Sequence, residues 1–276
     1  MLFTRLPRPS LRPFVTRLWA ADSRSTPAST VREHVLPTGA MHLVFRLSGE
    51  PLRVFDGADD LQGRAMGHAI IGGSRARFYI RDVSTPSHSV GAMLRPGAAE
   101  VLFGAAAHEL SERHTPLEDL WGASAGIAHE QLLETDDPGQ RLAALETLLA
   151  RRFPVVRGLH PAVAYALEQF ESGDAVTAVV RRTGYSHRHF IDLFRRAVGL
   201  GPKTFSLVVR FQKALRRAAA GDRAWAAVAL EAGYSDQAHF NRDFLQFAGV
   251  SPTEYRGIAP VEAHHVAVAS GGRLRR

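Results

Sequence analysis

The sequence has no cysteine. That excludes disulfides, thiolate metal sites and a cysteine nucleophile, and it fits a reducing compartment. No run of eighteen apolar residues is present, so no membrane span is expected. The first residues, MLFTRLPRPSLRPF, are broken by three prolines and scattered arginines. They lack the apolar stretch of a signal peptide. Together these absences lead us to expect a cytoplasmic protein with no membrane partner.

The 276 residues suffice for two modest domains, and a composition of 45% hydrophobic and 22% charged residues is that of a globular protein. The net charge of +7 is uneven. Residues 1–150 carry 15 Lys+Arg against 17 Asp+Glu, whereas residues 151–276 carry 19 against 10. A positive excess on one domain is the footprint of a phosphate-backbone partner, or else a solvated arginine-rich surface.

Residues 1–30 are rich in Pro, Ser and Thr and read as an irregular lead-in. From Val31 to about Arg95 short apolar runs alternate with Gly-Asp-Ser-Pro clusters, the pattern of an antiparallel sheet or small barrel. In AMHLVFRL, Met41, Leu43, Phe45 and Leu47 share one face, and His42, Val44 and Arg46 share the other. After RPGAA the texture turns helical, with candidate helices at 98–106 and 125–134. A stronger one opens at Asp137 as N-cap and Pro138 in the first turn, with Leu142, Leu145, Leu148 and Leu149 as its apolar stripe. That stripe serves either dimerisation or packing on its own sheet. Two prolines and a glycine between 153 and 161 mark a domain boundary. Residues 31–153 are thus expected as one domain, 154–256 as an all-helical second domain, and 257–276 as a flexible tail.

One phrase is written twice. GYSHRHFIDLF begins at Gly184 and GYSDQAHFNRDF at Gly233. Each follows a short apolar-Ala segment. Each has a glycine for a sharp turn, then a serine (Ser186 or Ser235) suited to cap a new helix. Each then places aromatics at i and i+4, Phe190 with Phe194 and Phe240 with Phe244, on one face directed to a core. Each ends at a glycine, Gly199 or Gly249, followed by Pro202 or Pro252 and an aromatic, Phe205 or Tyr255. Copy two has one extra residue between the serine and the first Phe. Helix, glycine turn and capped helix make a helix-turn-helix, and two copies are a far stronger signal than one. Between them, PKTFSLVVRFQKALRRAAAG predicts a linker helix about 28 Å long, against about 34 Å for one turn of DNA. The duplication therefore suits two recognition helices set in successive major-groove segments.

On these motifs residues 161–256 resemble the DNA-binding domain of AraC/XylS-type transcriptional regulators. The resemblance implies that the second helix of each unit enters the major groove. Carried over by position, the base-facing candidates are Arg188, Ile191 and Asp192 in copy one. In copy two they are Gln237, Ala238, His239, Asn241 and Arg242. Arg suits guanine, Asn and Gln suit adenine, and Ile suits a thymine methyl; Asp192 needs a cytosine donor or a neighbouring Arg. Ser186, His187, Arg195, Arg196, Lys203 and Ser235 are candidates for phosphate. So are Arg181, Arg182, Arg210, Arg216 and Arg217, as positioning contacts. Phe190, Phe194, Phe240, Phe244, Trp225 and Leu193 are assigned to the core.

HVLPTGAMHLVFRL, VGAMLRPGAAEVLFG and HELSERHTPLEDLWG resemble the N-terminal domain of a subgroup of AraC-type regulators. That implies a cupin-like sensor or dimerisation domain with an unknown small-molecule effector. His42 and Arg46 are the candidate effector residues, against an outward polar face as the alternative. RPGAAEV offers a helix start that faces an anion, or merely a helix start. Glu33, His34, His42, His68 and His88 fall in the strand region without a fixed ligand spacing, so no metal and no cofactor is expected.

The expected fold class is α+β: a mainly-β, cupin-like N-terminal domain with helices, then an all-α C-terminal domain of two helix-turn-helix units joined by a long linker helix. The expected function is sequence-specific regulation of transcription, with no enzyme activity. Its partners are double-stranded DNA and the effector, with RNA polymerase and a second copy as further candidates. A cupin-like enzyme tethered to DNA and a sequence-tolerant architectural protein are the alternatives. The Gln, Asn, His and Arg of the recognition helices argue against the architectural one.

Overall fold

The computed structural model describes residues 2–23, 32–153, 159–219 and 224–268. Its N-terminal part is two facing sheets. The first is built from β1 (Leu2–Arg5), β2 (Val15–Ser23), β4 (Met41–Arg46), β7 (Ala69–Gly72), β9 (Ser87–Leu94) and β10 (His114–Pro116). Their order is β1-β2-β9-β4-β7-β10, antiparallel throughout. The second holds β3 (Arg32–Val35), β5 (Arg53–Phe55), β6 (Arg64–Ala65), β8 (Tyr79–Asp82) and β11 (His265–Val268), in the order β11-β3-β8-β5-β6.

The period of two in β4 decides where its faces go. Met41, Leu43 and Phe45 enter a core with α1 (Ala98–Phe103), α2 (Ala107–Leu110), α3 (Glu118–Trp121), α4 (Ser124–Leu133) and α5 (Pro138–Arg152). The leucine stripe of α5 is spent here: Leu142, Leu145 and Leu149 pack against β2 and β9, so packing on its own sheet satisfies it. Asp137 caps α5 through the Gln140 amide, with Pro138 in the first turn. On the other face of β4, Val44 meets Ile70, Val54 and Tyr79 between the two sheets, which makes that side the barrel interior.

The C-terminal part is helical: α6 (Pro161–Ser172), α7 (Val176–Thr183), α8 (His187–Val198), α9 (Pro202–Ala219), α10 (Trp225–Glu231), α11 (Gln237–Ala248) and α12 (Pro252–Ile258). One hydrophobic cluster runs through all of them, with Phe190, Phe194, Phe240 and Phe244 fully buried. The 18 residues of α9 span about 27 Å. The fold class is the α+β arrangement expected.

Three expectations need correction. The lead-in is not irregular where it is described: β1 and the nine-residue β2 are in it. The prolines that hid them, Pro7, Pro9 and Pro13, sit in the connection, which includes a 3-10 turn at Pro9–Leu11. The stretch after residue 257 is not a free tail as far as residue 268. β11 pairs along β3, from His265 against Val35 to Val268 against Arg32, and Val266 is fully buried in the helical core. Residues 269–276 lie outside the described residues. The third correction is a cap. Ser186 caps α8 through the His189 amide, but α11 is capped by Asp236, not Ser235. The extra residue of copy two moves the capping position one step on.

Candidate nucleic-acid interface and barrel interior

The two recognition helices α8 and α11 each bury one aromatic face and expose the other. In α8, Arg188 and Asp192 are exposed and Ile191 is half-buried. Asp192 forms no ion pair with an arginine among the described residues. In α11, Gln237, Ala238, Asn241 and Arg242 are exposed. Gln237, Asn241 and Arg242 come together with Trp225, Leu245, Ser251, Pro252 and Thr253 around a groove of about 270 Å³. His239 is less free. Its Nδ1 is 3.4 Å from Ser235 Oγ and its Nε2 is 3.6 Å from Asp243, which Arg210 also holds at 3.2 Å.

The cations expected on phosphate divide in two. Arg182 pairs with Asp174, Arg196 with Glu100, Arg210 with Asp243 and Arg217 with Glu231. Arg181, Arg195 and Lys203 are exposed and have no carboxylate partner among the described residues. Ser186 and His187 are exposed at the start of α8, and Ser235 is exposed before α11, donating to Asp236.

Sequence reasoning missed how firmly the N-terminal part holds both units. At the end of α8, the Gly97 amide donates to Ala197 O and Ser74 Oγ donates to Val198 O. At the end of α11, the Phe78 amide donates to Phe247 O and His34 Nδ1 donates to Ala248 O. Gly199 and Gly249 follow, both in the left-handed region at φ +91° and +71°. A Cβ at Gly199 would collide with Ser74 Oγ, and one at Gly249 would lie 2.5 Å from the Phe78 ring. The repeated glycine thus ends each helix and also lets the N-terminal part approach it. Of the two readings of RPGAAEV, the plain helix start is the one observed at Gly97, whose amide donates to Ala197 O. The six-residue α1 that follows starts without a side-chain cap.

The strand-region residues do not converge. His34 faces the helical domain, His68 stands by His129, and His88 pairs with Asp22. Glu33 and His42 face the interior. There the cross-strand register sets Arg17, Met93, His42, Gly72 and His114 in one row of the first sheet. Glu33, Arg81, Tyr79 and His265 lie on the facing sheet. Arg81 Nε donates to Glu33 at 2.6 Å, and His265 Nδ1 lies 3.1 Å from the same carboxylate. Burial raises the Glu33 pKa, but Arg81 and His265 outweigh it and hold the group at about 2. Burial, then His264, Arg17 and His265, push His42 down to about 4. Burial, then Arg75, Arg64, His42 and Arg81, push His114 to about 3. The candidate Arg46 is buried at the other end of β4, where its Nε donates to Glu50 O. His42 and Arg46 therefore share the interior face, but Arg46 is already engaged.

Two separate segments of the chain match known protein families. Residues 171–258 match the model of a helix-turn-helix domain, and residues 4–116 match a domain of unknown function (DUF6597). The chain is 30% identical over 98 residues to an uncharacterized HTH-type transcriptional regulator of Haemophilus influenzae, covering 36% of this chain and 33% of that protein. It is 29% identical over 168 residues to the MmsAB operon regulatory protein of Pseudomonas aeruginosa, covering 54% and 53%. The chain thus spans about half or less of the curated relatives it matches. Among solved structures, an apo form of ToxT from Vibrio cholerae superposes with a TM-score of 0.48 at 11% identity, over 91% of this chain and 98% of that one. No helix among the described residues is long and apolar enough to cross a membrane.

Proposed function

We propose that the chain is a sequence-specific DNA-binding regulator of transcription of the AraC/XylS type, whose two recognition helices read successive major-groove segments of one duplex. The observation that carries this reading is the pair of half-exposed helices α8 and α11 on either side of α9. Each has its aromatic face buried and its polar face open to solvent. Arg188 and Arg242 suit guanine, and Gln237 and Asn241 suit adenine. Asp192, which no arginine of the described residues pairs, brings an uncompensated negative charge to the face of α8 that meets the duplex. Ser186, His187, Arg181, Arg195 and Lys203 hold phosphates and set the register. Arg196 joins them only when Glu100 releases it. The barrel is the sensor in this reading: its interior takes a small effector, and its loops grip the ends of both reading helices.

The test is selection of random duplex DNA by the full chain, sequenced after several rounds at about physiological salt. The expected result is an asymmetric motif with two informative patches about one helical turn apart, roughly 34 Å. Binding without enrichment, equal on all sequences, assigns an architectural role instead.

A further inference from the structure

We propose that residues 73–78, the connection between β7 and β8, fix the separation of the two reading helices and so decide which spacing of half-sites the chain accepts. Ser74 and His34 are positioning residues in this role, because they act on DNA only through α8 and α11. This inference rests on the two-groove reading and adds what holds the readers in register.

One short segment reaches both readers. Ser74 Oγ donates at 2.9 Å to the carbonyl of Val198, the last residue of α8. Further along the same segment, the Phe78 amide donates to Phe247 O at 3.1 Å, near the end of α11. His34 of β3, set opposite Ile80 of β8, donates to Ala248 O at 3.0 Å and stacks on the Phe78 ring with centroids 4.2 Å apart. The chain from Ser74 to Phe78 spans at most about 14 Å, so both helix ends are tied to one short piece of backbone. The ties go to carbonyls that a helix end leaves without a partner of its own.

The segment is itself held firmly. The Gly73 amide donates to Arg113 O at 2.9 Å and the Glu112 amide to Ser74 O at 3.0 Å, which carries the pairing of β7 with β10 past Gly72. The Glu112 carboxylate then accepts from the Ala76 amide at 2.7 Å. Glu112 has a φ of +60°, a conformation that a residue with a side chain keeps only where its surroundings impose it. Here its backbone and its carboxylate both grip the segment that ties the readers. Ser74 is fully buried, and a Cβ at Gly73 would collide with Leu110 O.

Elsewhere the readers meet through apolar packing on α9. Phe194 of α8 packs on Phe205, and Phe244 and Phe247 of α11 pack on Phe211. Among the described residues no hydrogen bond, ion pair or ring contact joins α8 directly to α11. Apolar packing is non-directional, whereas a hydrogen bond to a helix end has a preferred angle. In each reader the ring on α9 and the capping residue, Phe194 and Ser186 or Phe244 and Asp236, are about 12 Å apart along the helix. A tilt of about 15° about that ring moves the reading end by about 3 Å, close to the step of one base pair. The ties at the C-terminal ends lie on the other side of this pivot and suppress the tilt.

Spacing is what such a brace controls. Two linked readers bind strongly only where both engage at once, so a rigid pair selects one separation and a loose pair tolerates several. Each base pair added between half-sites moves the second by about 3.4 Å and turns it about 35° around the duplex. The base contacts of each reader are unaffected by the brace, because they come from side chains at the far end of the helix.

The test starts from the DNA motif selected by the full chain. Duplexes keep both patches and shorten or lengthen the spacer by one or two base pairs, and binding of the full chain is read by fluorescence anisotropy. The unaltered chain should lose about tenfold or more in affinity for one base pair in either direction. Ser74→Ala should reduce that loss to about threefold or less, with base preference within each patch unchanged. His34→Phe, which keeps a ring on Phe78 and deletes the donor, should do the same. Glu112→Ala relaxes the spacing in the same direction from an exposed position that keeps the fold, and a melting curve on each variant checks this. Indifference of the unaltered chain to the spacer overturns the proposal. So does a spacer loss that survives in every folded variant, or a loss by one factor at all spacings, which is what a merely structural role gives. A selection without a second patch sinks the two-groove reading and this inference with it, whereas a two-patch motif whose spacing no variant relaxes sinks this inference alone.

Discussion

The two helix-turn-helix units have the same aromatic skeleton but unlike surroundings. In the first, α8 starts from a serine cap, and its outer face carries Arg188 beside Asp192, which no arginine of the described residues pairs. The N-terminal part reaches this face with a carboxylate, Glu100, which holds Arg196 at 2.7 Å. In the second, α11 starts from an aspartate cap, and its outer face is amide and guanidinium: Gln237, Asn241 and Arg242. There the N-terminal part offers an aromatic and an imidazole, Phe78 and His34. The skeleton is what packing demands of any such unit. The differences lie where each unit meets something else.

The largest effect should come from breaking what the copies share. Phe194→Ala and Phe244→Ala each delete a fully buried ring, at a cost of about 3–5 kcal/mol of stability. Phe194 packs on Phe170, Phe190 and Phe205, and Phe244 on Phe211, Trp225, Phe240 and Tyr255. Because one cluster contains both, either variant should lower a single shared unfolding transition. Two separate transitions by calorimetry would mean that the units fold independently.

Gly199→Ala and Gly249→Ala probe the junctions. Each forces a side chain into the left-handed region and against the N-terminal part, and the two terms together cost about 2–4 kcal/mol. The comparison is sharpened by the neighbours. At Gly199 the collision is with a serine hydroxyl and the Ala107 carbonyl, at Gly249 with the Phe78 ring and His34. Ser74→Gly should therefore relieve part of the Gly199→Ala loss and none of the Gly249→Ala loss. Equal relief of both would show that the junctions are not separate.

These junctions are also where the sequence was least legible. The repeated phrase announced its own helices because glycine turns, aromatic spacing and prolines are local signals. The bipartite α+β architecture followed from a period of two giving way to helical patterns. The docking could not be seen in that way. Gly199 and Gly249 read as helix ends, which they are, and nothing local says that a serine and a phenylalanine more than a hundred residues earlier fill the space beside them. The same holds for β11. HHVAV sits between a short helix and SGGRLRR, and its pairing with β3 spans more than two hundred residues. β2 is hidden for a different reason: Pro7, Pro9 and Pro13 lie beside the strand, and local sequence does not separate that from prolines within an irregular segment. In the barrel, the face carrying His42 was legible, but its neighbours were not, since Arg17, Arg81 and the adjacent His264 and His265 come from three distant segments.

Next in size is the difference in reading. Arg242→Ala should relax preference at one base position and cost about 1–3 kcal/mol of binding to the selected site. Arg188→Ala should cost less, because Asp192 on the same face repels the backbone that its neighbour approaches. Asp192→Asn should then strengthen binding on all sequences alike, read by fluorescence anisotropy at several salt concentrations. A gain confined to the selected site, or a loss there, would place Asp192 on a base, as a cytosine acceptor.

The smallest effect concerns the one-residue insertion. In copy one the cap is the serine of the shared Gly-Tyr-Ser, and Ser186→Ala removes it. In copy two the insertion moves the cap to Asp236, whose carboxylate accepts from the His239 amide at 2.7 Å and from Ser235 Oγ at 3.0 Å. The His239 amide, then Ser235, hold the Asp236 carboxyl below its ordinary range. The carboxylate also faces the positive end of α11, where negative charge is favoured. Asp236→Ala should therefore lower the melting temperature, and Ser235→Ala should leave it nearly unchanged, the reverse of what the aligned phrases suggest. The sign with pH follows from the direction of the shift. A carboxyl depressed in the folded state contributes stability that is present above its unfolded pKa and lost as pH falls through the folded value. The gap between wild type and Asp236→Ala should thus close on acidification, while the gap for Ser186→Ala, a neutral cap, should not. A Ser235→Ala loss as large as the Asp236→Ala loss would return the cap to the serine and make the insertion a bulge inside the turn.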